Sequence, residues 1–281
     1  PAVVLDEGGM ILEKLLPGVS VPVALVGTGE KGVVTLELSV EDTPGHSSTP
    51  KRETTIGILA KALAFVEHHP MPARLTFFKP TLRAVGSVLP FWQQFALANT
   101  WLLGGLIIKK LSANPQVDAA LRTTTAITII NGGVRENVIP SRASARVNFR
   151  LMPGDGVARV CEHVRKVIDD ERVRFEPVGG FVREASPVSP VDTPSYHTLE
   201  RTIRQMFGNI PVAPFLVLGG TDSRHFYAIC DEVYRFTPLA YSHEDMHRVH
   251  GFNERILIDD LGKMVQFYVQ LIGVWGGVFE E

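Results

Sequence analysis

The 281-residue sequence predicts an α/β chain: an α/β sheet domain interrupted by a βαββαβ unit. Three observations predict this. Residues 2–5 and 21–27 (VPVALVG) are continuous apolar runs. Between residues 33 and 178, strand-like and helical patterns follow one another as β-α-(insert)-β-β-α-β. A Pro/Ser-rich crossing, Ala185 to Pro194 (ASPVSPVDTP), then leads into a tail that returns to alternating helix and strand.

Each element has its own reason. Unbroken apolar runs lack alternation because a parallel sheet is covered on both faces, so 2–5 and 21–27 are expected as buried parallel strands. Residues 33–40 (VVTLELSV) alternate, as a half-exposed strand does. Residues 54–67 (TTIGILAKALAFVE) carry apolar groups at helical spacing. Residues 71–121 form a long insertion rich in Pro, Phe and Leu. Residues 123–131 (TTTAITIIN) are β-branched and strand-like, and 143–151 (ASARVNFRL) alternate. Residues 156–170 read as an amphipathic helix and 172–178 (RVRFEPV) as a last strand, which completes a split βαβ, ferredoxin-like unit. The tail reads as helix 195–207, strands 214–218 and 232–236, and helix 254–275. Residues 1–29 and 184–281 are therefore expected to share one α/β sheet. Residues 30–183, with the insertion 71–121, would be a second domain set between them.

Composition excludes several classes. Apolar residues make up 45% of the chain, enough for a sizeable core. Lys and Arg total 28 against 30 Asp and Glu, so no basic excess exists to neutralise a phosphate backbone and nucleic-acid binding is disfavoured. Cys161 and Cys230 lie far apart and make neither a disulfide framework nor a thiolate zinc site. Asp6 and Glu7 break the first apolar run, so no signal peptide is read. The stretch 95–108 (FALANTWLLGGLII) falls short of the ~20 residues of a bilayer span. It is expected as a buried or lid helix, or else as an apolar wall facing a greasy substrate or a membrane surface. The chain begins Pro1-Ala2-Val3 without Met and is expected to be a fragment, which leaves localisation open.

Five clusters carry possible chemistry. Three of the nine histidines fall in the polar segment 242–254. His243 and His247 match H-E-x-x-H, which on a helix would place both rings on one face for zinc. Pro238, Gly251 and the lack of an apolar stripe argue against a helix there. The favoured reading is a loop in which His250 is a ligand; a solvated loop without function is the plain alternative. Asp6-Glu7-Gly8-Gly9 follows the first strand, where α/β sheets open a ligand crevice, though an ordinary turn fits too. Gly45-His46-Ser47-Ser48 ends the alternating strand, and a lone turn histidine is more often only a hydrogen-bonding residue. Asn131-Gly132-Gly133 and Asn137-Val138-Ile139-Pro140 form a connection, and Arg150 ends the strand after it. Gly219-Gly220-Thr221-Asp222-Ser223-Arg224 is a glycine turn whose amides suit an anion; it is not a nucleotide phosphate loop.

Taken in order, LDEGG (5–9), GHSS (45–48), TTTAITI (123–129), NVIP (137–140), VNFR (147–150), GGTDSR (219–224) and HGFNE (250–254) resemble the zinc-dependent carboxypeptidase/aminoacylase family. The likeness is closest to its carboxypeptidase S and N-fatty-acyl-amino-acid hydrolase branch. The resemblance implies part of an α/β catalytic domain with an inserted ferredoxin-like (βαββαβ) lid that dimerises. It implies a two-zinc enzyme (cobalt or manganese serving in place of zinc) that cleaves amides of peptides or N-acyl amino acids bearing a free carboxylate. Asp6, or its neighbour Glu7, looks like a terminal ligand of one metal and His250 like a ligand of the other. His46 looks like the lid histidine that crosses the dimer to polarise the scissile carbonyl. Asn137 and Arg150 look like lid residues that hold substrate or the tetrahedral intermediate. The turn Gly219, Gly220, Thr221, Asp222 and Arg224 looks like part of the carboxylate pocket.

The sequence also departs from the family. The pattern calls for H-x-D, a bridging Asp and a Glu-Glu pair before LDEGG, but five residues precede Asp6. The one H-x-D is His243–Asp245 and the one Glu-Glu is Glu280–Glu281. The general-base Glu is thus missing, and this chain by itself is expected to be inactive. Two other readings stand beside it: a non-catalytic dimerisation or binding module, and an H-E-x-x-H zinc protease. The apolar insertion is expected to shelter an acyl chain or a large apolar side chain of a small-molecule substrate.

Overall fold

The computed structural model describes residues 1–13, 18–180, 182–242 and 249–279. In chain order the strands are β1 (Val4–Asp6), β2 (Met10–Leu12), β3 (Val23–Glu30), β4 (Gly32–Glu41), β5 (Gly45–His46), β6 (Thr124–Asn131), β7 (Val138–Ile139), β8 (Arg142–Leu151), β9 (Val173–Pro177), β10 (Val212–Val217), β11 (Val233–Arg235) and β12 (Ala240–Tyr241). The helices are α1 (Thr55–His68), α2 (Lys79–Ala84), α3 (Phe91–Ala98), α4 (Thr100–Leu111), α5 (Pro115–Leu121), α6 (Val157–Ile168), α7 (Pro194–Phe207) and α8 (Ile258–Trp275). The chain divides into two compact units. The first comprises Pro1–Glu30, Arg74–Leu121 and Ser186–Glu281; the second comprises Lys31–Ala73 and Arg122–Ala185.

The first unit is built on a sheet of order β1-β11-β3-β2-β12, with β10 also paired to β3. Every residue of β3 is buried, as its unbroken apolar run requires. The expectation of a parallel sheet needs correction: β10 and β3 run parallel, as do β1 and β11, but β2 runs antiparallel to β3. The physical reason is the length of the connection, residues 13–22, which is shorter than the dozen or more residues that a parallel crossover needs. Helices α7 and α8 cover one face through Tyr196, Leu199, Ile203, Phe267 and Leu271, packed on Ala24, Val26 and Phe236. Thr193 caps α7 by accepting from the Tyr196 amide at 3.2 Å, and Pro194 occupies its first turn.

The insertion belongs with this unit rather than with the βαββαβ unit where the sequence reading placed it. The Arg74 amide donates to the Leu121 carbonyl at 2.8 Å and closes the segment at its base. Thr81 and Leu82 of α2 are buried, and the Thr81 hydroxyl donates to Pro214 of β10 at 2.5 Å. The stretch 95–108 is not a buried helix: neither α3 nor α4 buries a single residue.

The second unit is an antiparallel sheet of order β6-β8-β4-β9, the order of a split βαβ fold. β4 and β8 pair over their whole lengths, from Gly32 opposite Leu151 to Glu41 opposite Arg142. Val34, Leu36, Leu38 and Val40 face inward with Ala145, Val147 and Phe149. Helices α1 and α6 close that face with Ile58, Leu59 and Leu63, and with Val160, Val164 and Ile168. The spacing 160, 164, 168 is the apolar stripe of an amphipathic helix. Burying each such side chain stabilises the fold by about 1.5–3 kcal/mol before entropy is counted. On the other face Glu37 accepts from Arg142 at 3.0 Å and Arg146 at 3.2 Å.

Candidate functional site

In the first unit the sequence after β1 is held in a fixed turn. Gly9 is required there, since a Cβ would lie 2.3 Å from both the Arg235 and Leu25 carbonyl oxygens. Gly8 adopts φ +112°, which favours glycine. Asp6 is thereby left at the carboxyl end of its strand, beside Arg235 of β11 in the parallel register. One Asp6 oxygen accepts from the Glu7 amide at 2.9 Å and the other from the Ser223 amide at 2.6 Å. Burial pushes the Asp6 carboxyl up, but hydrogen bonds from Glu7, Thr221 and Ser223 outweigh it and hold the group below its ordinary value. The hydrogen bond to Asp6, followed by burial, raises the Glu7 carboxyl above its ordinary value.

The structure therefore brings Asp6 together with the Gly219–Arg224 turn. Two of the turn's own amides are committed to carboxylates. The Thr221 amide donates to Glu30 at 3.0 Å and the Ser223 amide to Asp6. Arg224 reaches back to the Thr221 carbonyl at 3.0 Å and lies 3.6 Å from Asp222. Beneath the turn is a buried ion pair that the sequence reading missed. Glu30 accepts from Arg235 Nε at 3.0 Å, from Ser223 Oγ at 2.8 Å and from Thr221 Oγ. Arg235 also donates to the Val233 carbonyl at 2.9 Å, to Ser223 Oγ at 2.7 Å and to the Tyr227 hydroxyl. Both charges are out of water, at 0% and 2% side-chain exposure, so only this full set of partners makes their burial tolerable. A signal existed in the sequence: Glu30 closes an apolar run, and Arg235 interrupts VYRF in a strand that reads as buried.

His250 lies in the same unit, exposed and with a left-handed backbone at φ +60°. The neighbouring Val249 and Glu254 line a cleft of about 220 Å³ with Tyr241 and Asp260. His243 and His247 lie outside the described residues. Among the described residues no three His, Cys, Asp or Glu side chains gather into a group able to hold a metal ion.

In the second unit β5 pairs with β7, placing His46 opposite Val138. The Ser47 amide donates to the Asn137 carbonyl at 3.1 Å, so His46 and Asn137 share one corner. His46 Nδ1 accepts from the Ser48 amide at 3.1 Å, with Ser48 Oγ at 2.7 Å. A neutral ring whose Nδ1 accepts carries its proton on Nε2, a donor directed away from the turn. Arg150 is not brought to this corner. It lies opposite Val33 and Thr124, near the far end of β8. The His46 corner adjoins the Arg142 end, where the Asp42 amide donates to Ser141 at 2.9 Å. At ~3.3 Å per residue the strand carries Arg150 ~26 Å from Arg142.

Comparison with known proteins agrees with this architecture. The Peptidase dimerisation domain family (M20_dimer) matches residues 28–176. The chain is 44% identical over 274 residues to the N-fatty-acyl-amino acid synthase/hydrolase PM20D1 of Xenopus tropicalis, covering 96% of this chain and 53% of that protein. It is 39% identical over 270 residues to the probable carboxypeptidase S-like 2 of Dictyostelium discoideum, covering 96% and 52%. The chain thus spans about half the length of the curated relatives it matches. Its fold is similar to that of an M20 family metallo-carboxypeptidase from Sulfolobus solfataricus, with a TM-score of 0.58 at 18% identity, over 98% of this chain and 62% of the other.

Proposed function

This chain belongs to the M20 peptidases, whose dimerisation domain it carries, and from that membership we propose a function for the whole protein. It is a metal-dependent hydrolase that cleaves the amide bond of peptides or N-acyl amino acids bearing a free carboxylate. The family implies a metal cofactor, and we assign it as two zinc ions. Asp6 (with Glu7 beside it) and His250 are the ligands this chain would contribute. The described residues do not fit a metal by themselves, since no three donors gather. The remaining ligands and the general base belong, in this reading, to the other half of the longer protein. A relative matched over nearly the whole chain is named for N-fatty-acyl amino acids, which supports an apolar acyl group on the substrate.

One observation carries the reading furthest. His46 and Asn137 sit at one end of the second unit's sheet and Arg150 at the other. Their separation along the sheet supports a reading in which the site that uses them draws on two chains. The His46 Nε2–H is the donor offered to the scissile carbonyl oxygen, and Arg150 of the other protomer holds the carboxylate. β6 supports dimerisation: it is an edge strand with exposed Ile129 and Ile130.

The test is complementation in the full-length enzyme. His46→Ala and Arg150→Ala should each lower kcat/KM by roughly 10²–10³. Mixed protomers should regain activity, because each heterodimer then holds one intact site. No recovery on mixing refutes the two-chain site, and no amidase activity in the full-length protein refutes the hydrolase.

A further inference from the structure

We propose that the α3–α4 hairpin is a docking surface for an anionic phospholipid membrane. The hairpin is apolar and uncovered. Phe91 and Phe95 stand one turn apart on α3, and Leu102 and Leu106 one turn apart on α4. With Trp92 and Trp101 they form a set of large side chains in water, Phe91 at 83% and Trp101 at 82% exposure. Scattered exposed apolar residues need no explanation, but a contiguous set on two adjoining helices marks an interaction surface.

Charge identifies the partner. From His68 to Val117 the chain has no Asp or Glu, while Lys79, Arg83, Lys109 and Lys110 are basic and not buried. That bias is local, because the whole chain is slightly acidic at −2. A protein partner would need no such acid-free tract; a surface of phosphate and carboxylate headgroups does. Lys109 and Lys110 are exposed in the last turn of α4. The Lys110 ammonium lies 4.6 Å from the centre of the Trp92 ring, so a cation sits at the edge of the apolar surface. Indole beside lysine is the pairing that settles at the headgroup level, the ring in the acyl boundary and the charge in water.

The hairpin lies on a bilayer rather than through it. α4 has 12 residues, against the ~20 needed to span. No described helix is long and apolar enough to cross a membrane. The proposal does not depend on the hydrolase reading, since loss of amidase activity would leave it intact.

The experiment is flotation of this 281-residue chain with vesicles of phosphatidylcholine alone and of phosphatidylcholine with phosphatidylserine. The chain should float with the phosphatidylserine vesicles and be released by high salt. K109Q/K110Q should weaken that binding about thirtyfold, and W101S/L102S should abolish it. Far-UV circular dichroism should leave both variants unchanged, since none of these side chains is buried; F91S, on the other helix, repeats the test independently. Absence of flotation, equal binding to both vesicle types, or full retention by W101S/L102S and F91S overturns the proposal. So does a W101S/L102S variant that loses a dimer in sedimentation while the parent chain ignores vesicles, which would assign the surface to a second copy.

Discussion

The two units solve the same packing problem with different material. The second unit keeps charge outside: Val34, Leu36, Val147 and Phe149 fill the interior while Glu37, Arg142 and Arg146 pair on the outer face. The first unit sets a full ion pair, Glu30 with Arg235, at the edge of its apolar core. Apolar packing is non-directional and tolerates adjustment, whereas a buried pair specifies one arrangement of donors. The specified feature is the turn that positions Asp6. The unit carrying the candidate metal ligand thus contains the more exacting interior, and the unit carrying the dimerisation fold the more forgiving one.

The largest expected effect breaks the first unit. Arg235→Ala leaves the Glu30 carboxylate buried without its counter-ion and should cost about 3–5 kcal/mol. Denaturant unfolding followed by tryptophan fluorescence and by circular dichroism would report it. The double variant Glu30→Leu with Arg235→Met removes both charges and should recover much of the loss. If the double variant is as unstable as the single, the penalty comes from lost packing and the contrast between the units fails. A smaller effect is expected in the second unit. Ile58→Val removes one buried methylene from α1 and should cost about 0.5–1.5 kcal/mol in the same measurement. A cost comparable to that of Arg235→Ala would erase the distinction.

How much was legible in the sequence follows the same division. The second unit's elements were readable because each obeys one period: alternation in VVTLELSV and ASARVNFRL, and the stripe of Val160, Val164 and Ile168. The first unit was harder. β2 is three residues long, too short for a periodic signal, so the antiparallel return that makes the sheet mixed went unread. The insertion's allegiance depends on Thr81 meeting Pro214, 133 residues away, which no local pattern encodes. Of the site, Asp6 and the Gly219–Arg224 turn were legible as separate motifs. Their junction through the Ser223 amide, and the support from Glu30 and Arg235, are long-range contacts that spacing alone does not reveal.

The smallest expected effect tests whether the second unit's charges are as peripheral as its packing implies. Arg172 bridges two carboxylates, donating to Asp170 through Nε at 2.9 Å and Nη2 at 2.6 Å, and to Glu53 at 2.8 Å. Lys61 also reaches Glu53 at 2.5 Å. Hydrogen bonds from Lys61 and then Arg172 hold Glu53 below its ordinary value, and the bond from Arg172 holds Asp170 below its own. Because both folded values are depressed, the stabilisation is fully present above the unfolded values near pH ~4. It is lost as pH falls through the lower folded values. Arg172→Gln should therefore lower Tm slightly at pH 7, and the gap from the parent chain should close below pH ~4 and in high salt. The pairs are solvent-exposed, so screening keeps the gap small. A gap as large as that of Ile58→Val, or one that persists in acid and in salt, would mean that Arg172 holds the unit together by packing its stem. The second unit's stability would then not rest on its apolar interior alone.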